Sequence, residues 1–427
     1  MDKKPLKDHR EISKLDSRGL RDHREIGQEL ELFFTNEIAP GAPFWLPKGM
    51  VIFKELEKYI RELTQNAGYL ETSTPIMVKS QLFRDSGHWE KFGEHNMYNL
   101  EILDEPEGMG LSKNMALMYT LKPMNCPEST ILYRFRPRSY RELPLRLSEI
   151  GRLHRREKSG EVNGLLRVRQ LTMDDAHIYA TEDQIFDEVS SILDMMIEFY
   201  KSFGFEYDFR LATRPEMRAG SDKNWDRAEK ELKEALEKKG IKSGDKLGDG
   251  AFYGPKIDVH IKDSQGREWQ LATVQLDFHQ PEAFKLEYID ETGSKKRPVM
   301  IHRAIFGSFE RFIAILTEHF QGAFPTWLSP VQVVIIPISE KNNEYAKKVA
   351  DTLIHESIRV EVDGRGETMQ SKIRDANLQK VPYMLIVGGR EEEAQKVSIR
   401  KRGGEDLGQM TLEDFSGTIE KDIESKT

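Results

Sequence analysis

Two prolines, Pro325 and Pro330, divide this chain into stretches with different hydrophobic patterns, and that change limits its possible folds more than any other feature. Downstream, apolar runs at 331–336, at Val360 and at 384–387 read as strands. Helical spacing over 345–355, around Ile373 and at the C-terminal end fills the gaps between them. That order predicts a small α/β domain with a largely parallel sheet. Upstream the segments are longer. Ile52, Leu56, Tyr59, Ile60 and Leu63 recur at helical spacing with Gly68 as the stop, and 69–75 reads as a strand. Thr181 with Gln184 three residues on forms a capping-box pattern, opening a helix through Ile185, Val189, Ile192, Met196 and Phe199 that ends near Gly204. Ile257, Val259 and Ile261 alternate along a strand, 263–266 turns, and 269–278 returns, which predicts a long antiparallel hairpin; a helix over 308–320 follows.

A chain of 427 residues predicts two or three domains, with boundaries expected at 1–21 for an extension, 22–329 for the larger domain and 330–427 for the smaller. Asp-His-Arg-Glu-Ile at 8–12 recurs at 22–26, about four helical turns later, so both copies fit one side of a helical arm. With 38% hydrophobic and 32% charged residues, no apolar run approaches the roughly 20 residues that cross a bilayer, which excludes a helical membrane span. The first residues mix acidic with basic side chains and lack a signal-peptide core, so the expected location is cytoplasmic. The single cysteine, Cys126, permits no internal disulfide and fits a reducing compartment. A net charge of -8 argues against a protein coated in basic charge, yet it permits a local basic patch.

One such patch is present. Between Arg134 and Arg169 stand ten Arg and one Lys against four Glu, a local balance of +7. A charge run is usually a solvated face. Here Leu and Val interleave: His154-Arg155-Arg156-Glu157, a Ser-Gly loop, and Leu166-Arg167-Val168-Arg169 alternate like two strands joined by a loop, with arginines along one face where a polyphosphate could lie. The pattern resembles the second motif of the class II aminoacyl-tRNA synthetases, and Gly307-Ser-Phe-Glu-Arg311 resembles their third. Pro75, after a helix and strand, resembles the first motif, which in this class builds a dimer interface. The resemblance implies a catalytic domain of α+β type, an antiparallel sheet of six or more strands flanked by helices. It implies that Arg155 grips the α-phosphate of ATP and the substrate carboxylate, Glu157 accepts from the adenine amino group, and Arg167 holds the γ-phosphate. Leu166 and Gln270 would complete the ATP site, with Arg311 on the other side of the nucleotide at a helix N-terminus. Mg²⁺ would accompany ATP.

Cys126 lies in Lys122-Pro-Met-Asn-Cys126-Pro, His177 in Asp174-Asp-Ala-His177, and His302 in Met300-Ile-His-Arg303. Their separations of 51 and 125 residues match no short zinc pattern, and by spacing alone such residues are most often core. The three segments nevertheless resemble those of the threonyl-tRNA synthetase family, in which one Cys and two His hold a catalytic zinc. The resemblance implies one Zn²⁺ per subunit on Cys126, His177 and His302. An apolar pocket separates threonine from valine poorly, whereas a zinc bound through the substrate amine and hydroxyl separates them well, because valine offers no oxygen.

By the same resemblance Asp175, Tyr253, Gln275 and Met124 line the threonine pocket, Lys256 of Gly254-Pro-Lys256 adds a catalytic charge, and His88 of Ser86-Gly-His88-Trp lies near the terminal ribose of tRNA, where it helps activate the attacking hydroxyl. Without the resemblance His88, like His23, His95 and His260, reads as a surface histidine. Met173 stands where the family has Gln, and Glu128-Ser129 where Gly-His is usual. Residues 330–427 resemble an anticodon-binding domain, α/β in type; with 15 basic against 18 acidic residues, recognition there would rest on local contacts. Arg400 is the expected base reader, and one of Glu391, Glu392 or Glu393 its acidic companion, taken as Glu392.

These readings predict a threonine-activating tRNA ligase whose partners are tRNA(Thr), ATP, L-threonine and a second copy of the chain. The family's N-terminal editing domain is not in the sequence, which fits either a short form served by an editing factor in trans or an excised piece. The alternative is a synthetase-like RNA-binding or regulatory protein that has lost catalysis. Retention of Arg155, Glu157, Arg167, Arg311 and the three metal-ligand candidates weighs against it.

Overall fold

The computed structural model describes residues 19–102, 117–263 and 266–426. The first Asp-His-Arg-Glu-Ile copy, at 8–12, lies outside them. The second forms a helix start: Asp22 caps the helix His23–Glu29 by accepting from the Arg24 N–H. Chain contacts define two compact units, one of 1–36, 44–56 and 313–427, the other of 37–43 and 57–312. No described helix is long and apolar enough to cross a membrane.

The larger unit is built on an eight-stranded sheet. Its order runs Ser243–Lys246, Tyr207–Ala212, Lys256–Lys262, Glu268–Asp277, Val299–Ala304, Gln170–Ala180, Leu145–His154 and Leu70–Glu71. The six central strands are antiparallel and each edge strand pairs in parallel. The hairpin expected from Ile257, Val259 and Ile261 is the centre of this sheet. The strand expected over 69–75 is shorter, Leu70–Glu71. Helix Ile185–Lys201 buries Ile185, Val189, Ile192, Met196 and Phe199, the stripe its 3.6-residue period predicts. Phe199 stacks on Phe306 at 5.2 Å, and Phe312 closes on both.

The Arg-rich segment departs from the two-strand expectation. Strand Leu145–His154 ends just before Arg155, and strand Gln170–Ala180 starts just after Arg169. Arg155 through Arg169 therefore form a loop with a short 3-10 turn at Ser159–Glu161, closed by the Arg155 N–H donating to the Arg169 carbonyl at 2.8 Å.

In the smaller unit a five-stranded sheet runs Val360–Val362, Val333–Pro337, Tyr383–Val387, Lys396–Lys401, Asp406–Thr411. Strand alternation sorts its two faces. Val333, Ile335 and Leu385 pack with Val349 and Leu353 of helix Asn343–His355 and with Phe415 and Ile419 of helix Leu412–Glu424; Val334, Ile336 and Met384 pack with Ala376 of helix Met369–Leu378. The expectation of a largely parallel sheet holds for the first three strands only. The last two are antiparallel, a hairpin whose Arg, Lys and Gly content hid it in the sequence.

Candidate active site

Register brings the distant candidates together. Lys256 pairs with Gln275, Gln275 with His302, His302 with His177, and His177 with Leu147, one lateral row across five strands. Neighbours in such a row share a sheet face, so residues as far apart in sequence as Lys256 and His177 point into the same space. Two residues along each strand, the same face carries Asp175, Glu149, Asp258 and Asp277. Gln270 is five residues from Gln275, and simple alternation would turn it to the other face. An irregularity in register after Val259 pairs Gln270 with His260, two residues beyond Asp258, and so restores it to the site face.

Cys126 opens the helix Cys126–Tyr133 above this row, and its Sγ lies within 4.8 Å of ring nitrogens of His177 and His302, which are themselves that close together. All three residues are buried. Burial pushes the thiol well up and the His177 imidazole well down, so both of these groups favour their uncharged forms. One sulfur and two imidazole donors converging in a buried pocket is a set that suits zinc. The residues fit the group in a second respect. His302 Nε2 lies 2.8 Å from Asp277 Oδ2, which leaves the other ring nitrogen for a metal and fixes the ring's orientation. Asp277 is in turn held by the backbone N–H groups of His279 and Gln280 and by the Gln280 side chain.

Asp277 was not expected as a site residue. The signal was there, because it stands two residues after Gln275 on an alternating strand. Asp277→Asn, with shape kept and an acceptor weakened, is expected to lower zinc affinity about 10- to 100-fold in a chelator competition. Unchanged affinity would show that Asp277 merely holds the 279–280 turn.

Asp175 sits on the floor beside the trio, where burial raises its pKa to about 6 and the Asn125 amide, donating to it at 3.0 Å, partly offsets that rise. Asn125 presses against Gly151, where an added Cβ would meet its side chain at 2.5 Å. Gln275 donates to the Gly254 carbonyl, and a Cβ at Gly254 would lie 1.7 Å from the Leu276 carbonyl oxygen, so only glycine fits there. Tyr253 lies beside His302 with ring centres 5.1 Å apart, and Lys256 pairs with buried Asp258. Met124 packs on the apolar cluster around Cys126, Leu147 and Tyr179.

His88 is not a surface residue: it is 1% exposed. Its Nδ1 meets Ser86 Oγ at 2.8 Å and its Nε2 faces Cys126 Sγ at 3.7 Å. Burial lowers its pKa to about 3, which keeps the ring neutral. The surface reading also fails for His260 and for His23, which is enclosed against Glu318.

The arginines meet at the loop. Arg155 extends Nε to the Pro123 carbonyl at 3.1 Å, and Arg311 extends its own to the Leu166 carbonyl at 2.9 Å, so Leu166 contributes backbone while its side chain is buried. Burial lowers the pKa of both, and Arg311 is lowered further by Arg155 and Arg167. Three like charges in one another's field, partly desolvated, make a strong standing attraction for a polyanion. Arg167 pairs with Glu157 at 2.8 Å and with Glu161 at 3.2 Å, a link to be exchanged if both residues are to engage a nucleotide. Sequence reading also missed a buried pair on this face: Lys122 Nζ donates to Glu149 and to Thr74 Oγ1, each at 2.7 Å. In the smaller unit Arg400 faces Asp406 at 3.7 Å and Glu392 accepts from Asn342 at 3.1 Å; no ion pair joins Arg400 to Glu392 among the described residues.

A tRNA synthetase class II core domain (G, H, P, S and T) matches residues 111–320, and an anticodon binding domain matches residues 332–422. The threonine–tRNA ligase of Acetivibrio thermocellus is 51% identical over 97% of this chain and 63% of its own length. That of Carboxydothermus hydrogenoformans is 50% identical over 94% of this chain and 61% of its own. The chain thus spans about three fifths of the length of these curated relatives. A crystal structure of the RNA binding domain of threonyl-tRNA synthetase from Cryptosporidium parvum superposes with a TM-score of 0.88 at 39% identity, over 94% of this chain and 98% of that one. The expected class II core with its α/β companion domain is therefore the fold observed, and the chain belongs to the threonyl-tRNA synthetase family of class II aminoacyl-tRNA synthetases.

Proposed function

We propose that this chain carries threonine–tRNA ligase activity, and the observation that supports it most is the meeting of Cys126, His177 and His302, with His177 on one of the two strands that the arginine loop joins. In the first step a threonine carboxylate oxygen attacks the α-phosphorus of ATP, and the bond to pyrophosphate breaks. Charge builds on the α-phosphate oxygens in that step, and Arg155 and Arg311 are the guanidinium groups placed to balance it. Arg167, released from Glu157, holds the far phosphate, and the freed Glu157 accepts from the adenine amino group. Mg²⁺ accompanies the nucleotide. In the second step the 3′-hydroxyl of the tRNA terminal ribose attacks the adenylate carbonyl, threonine passes to that oxygen, and AMP leaves. Neutral His88, held through Nδ1 by Ser86 Oγ and facing Cys126 Sγ through Nε2, is the candidate base.

Cys126, His177 and His302 would hold a zinc ion that binds the threonine amine and hydroxyl. Asp175 lies beside His177 at 3.9 Å and is placed to receive the same substrate groups. Serine also carries a hydroxyl, so this pocket selects against valine far better than against serine, and serine attached to tRNA would be removed elsewhere, by an editing domain or a separate factor. Leu70, Ile76 and Met77, exposed apolar residues flanking Pro75, support assembly as a homodimer through that segment. Arg400 is proposed to read the anticodon of tRNA(Thr), and a cytoplasmic location fits a translation enzyme with a lone thiol.

The test is amino-acid-dependent pyrophosphate exchange with zinc-loaded protein. Threonine should support exchange, serine roughly 10- to 100-fold less, and valine none above background. Equal exchange with valine, or none with any amino acid while tRNA still binds, would replace this reading with the silent RNA-binding alternative.

A further inference from the structure

The helix that begins at Cys126 ends at Tyr133, and the turn beyond it displays Phe135, 86% exposed, between the exposed side chains of Arg134 and Arg136. No other aromatic side chain among the described residues is as open to solvent. The turn itself is firmly built. Phe135 N–H donates to the Leu132 carbonyl at 3.3 Å, and Arg138 caps the helix end through the Tyr133 and Leu132 carbonyls at 3.0 and 3.2 Å. Arg134 leans on the Phe284 ring, and Arg136 pairs with Glu142 at 2.6 Å. Ile131, also exposed, lies one turn back. Across 131–142 four arginines face one glutamate, so the surroundings of the ring are positive. A solvated charge run needs no exposed phenyl ring, and the excess of arginine around this one favours a polyanionic partner. An aromatic face held rigidly between arginines is what an unpaired nucleotide uses: the base stacks and its phosphates meet the charges.

We propose that Phe135, with Arg134 and Arg136, is a stacking platform for the single-stranded 3′ end of the RNA substrate, a reading that rests on the ligase function above. Cys126 and Phe135 lie beyond opposite ends of an eight-residue helix about 12 Å long, a separation that roughly three to four stacked nucleotides at about 3.4 Å each can span.

The probe is an RNA hairpin carrying a four-nucleotide single-stranded 3′ end, compared with the same hairpin trimmed flush, by fluorescence anisotropy on the full chain. Wild type should prefer the tailed RNA, and Phe135→Ala should reduce that preference roughly 5- to 100-fold while leaving the flush hairpin's binding unchanged. Phe135→Trp should keep it. Threonine-dependent pyrophosphate exchange, which needs no RNA, should be the same in all three proteins; it reports on the ligase reading separately, since its absence in wild type would refute that reading without touching the tail preference. Equal weakening of tailed and flush RNA would overturn the platform, as would unchanged RNA binding accompanied by a changed sedimentation coefficient, which would make the ring a protein contact.

Discussion

Replacing Cys126 by alanine is expected to remove bound zinc and to reduce threonine-dependent exchange by roughly 10³-fold or more, a change in barrier on the order of 4 kcal/mol. The size follows from the site's construction. His177 and His302 are buried, and without the sulfur they are two imidazoles in a pocket that gathers three donors. The thiol is itself pushed up by burial, so only a cation in place makes its charged form affordable. Folding should survive, because the change removes one small side chain from the edge of an apolar cluster that keeps Tyr133, Leu147, Tyr179 and Met300. ATP binding should survive as well, since it depends on Arg155, Arg167 and Arg311. Zinc content by atomic absorption, nucleotide affinity by calorimetry and exchange rate therefore separate three outcomes. A mutant that binds ATP normally, lacks zinc and still sorts threonine from valine would refute the metal's role in selection.

How far the sequence carried this reading depended on whether a residue's partner lies nearby along the chain. The hairpin of Lys256–Lys262 and Glu268–Asp277 was legible because its alternation is local. The same alternation would misplace Gln270, and the irregularity that corrects it, at Val259 and His260, has no signature in Val-His-Ile. The arginines of the second motif were legible as residues but not as conformation. Leu166-Arg167-Val168-Arg169 alternates like a strand, yet the segment folds as a loop whose charges turn toward Arg311, 142 residues beyond Arg169. Lys122 and Glu149 show the general limit. Each alone reads as a surface charge, and only the fold brings them together and buries both. His88 misled for the same reason, its enclosure by Phe252, Tyr253 and Cys126 being tertiary throughout.

The largest stability effect is expected one residue away from the ligands, on the opposite face of the same strands. Arg303 follows His302 and Asp174 precedes Asp175, so strand alternation turns this pair away from the site. There Arg303, 1% exposed, donates to Asp174, 2% exposed, at 2.5 Å, and its guanidinium lies 4.8 Å from the centre of the Tyr69 ring. The second Asp174 oxygen accepts from the Ile305 and Phe306 backbone at 2.7 and 3.3 Å, which fixes the start of the turn leading to Arg311. Arg303→Met leaves the Asp174 charge buried with backbone partners alone, at a cost of about 3–5 kcal/mol. Thermal unfolding should move down by on the order of 10 °C. Adding Asp174→Asn removes the stranded charge while keeping an acceptor for Ile305 and Phe306, so the double variant should be more stable than Arg303→Met alone. Additive losses in the double variant would mean that the pair acts through packing against Tyr69 instead of through charge. Because His302 and Arg303 share a strand, Arg303→Met should also weaken zinc binding, and the double variant should recover both properties together.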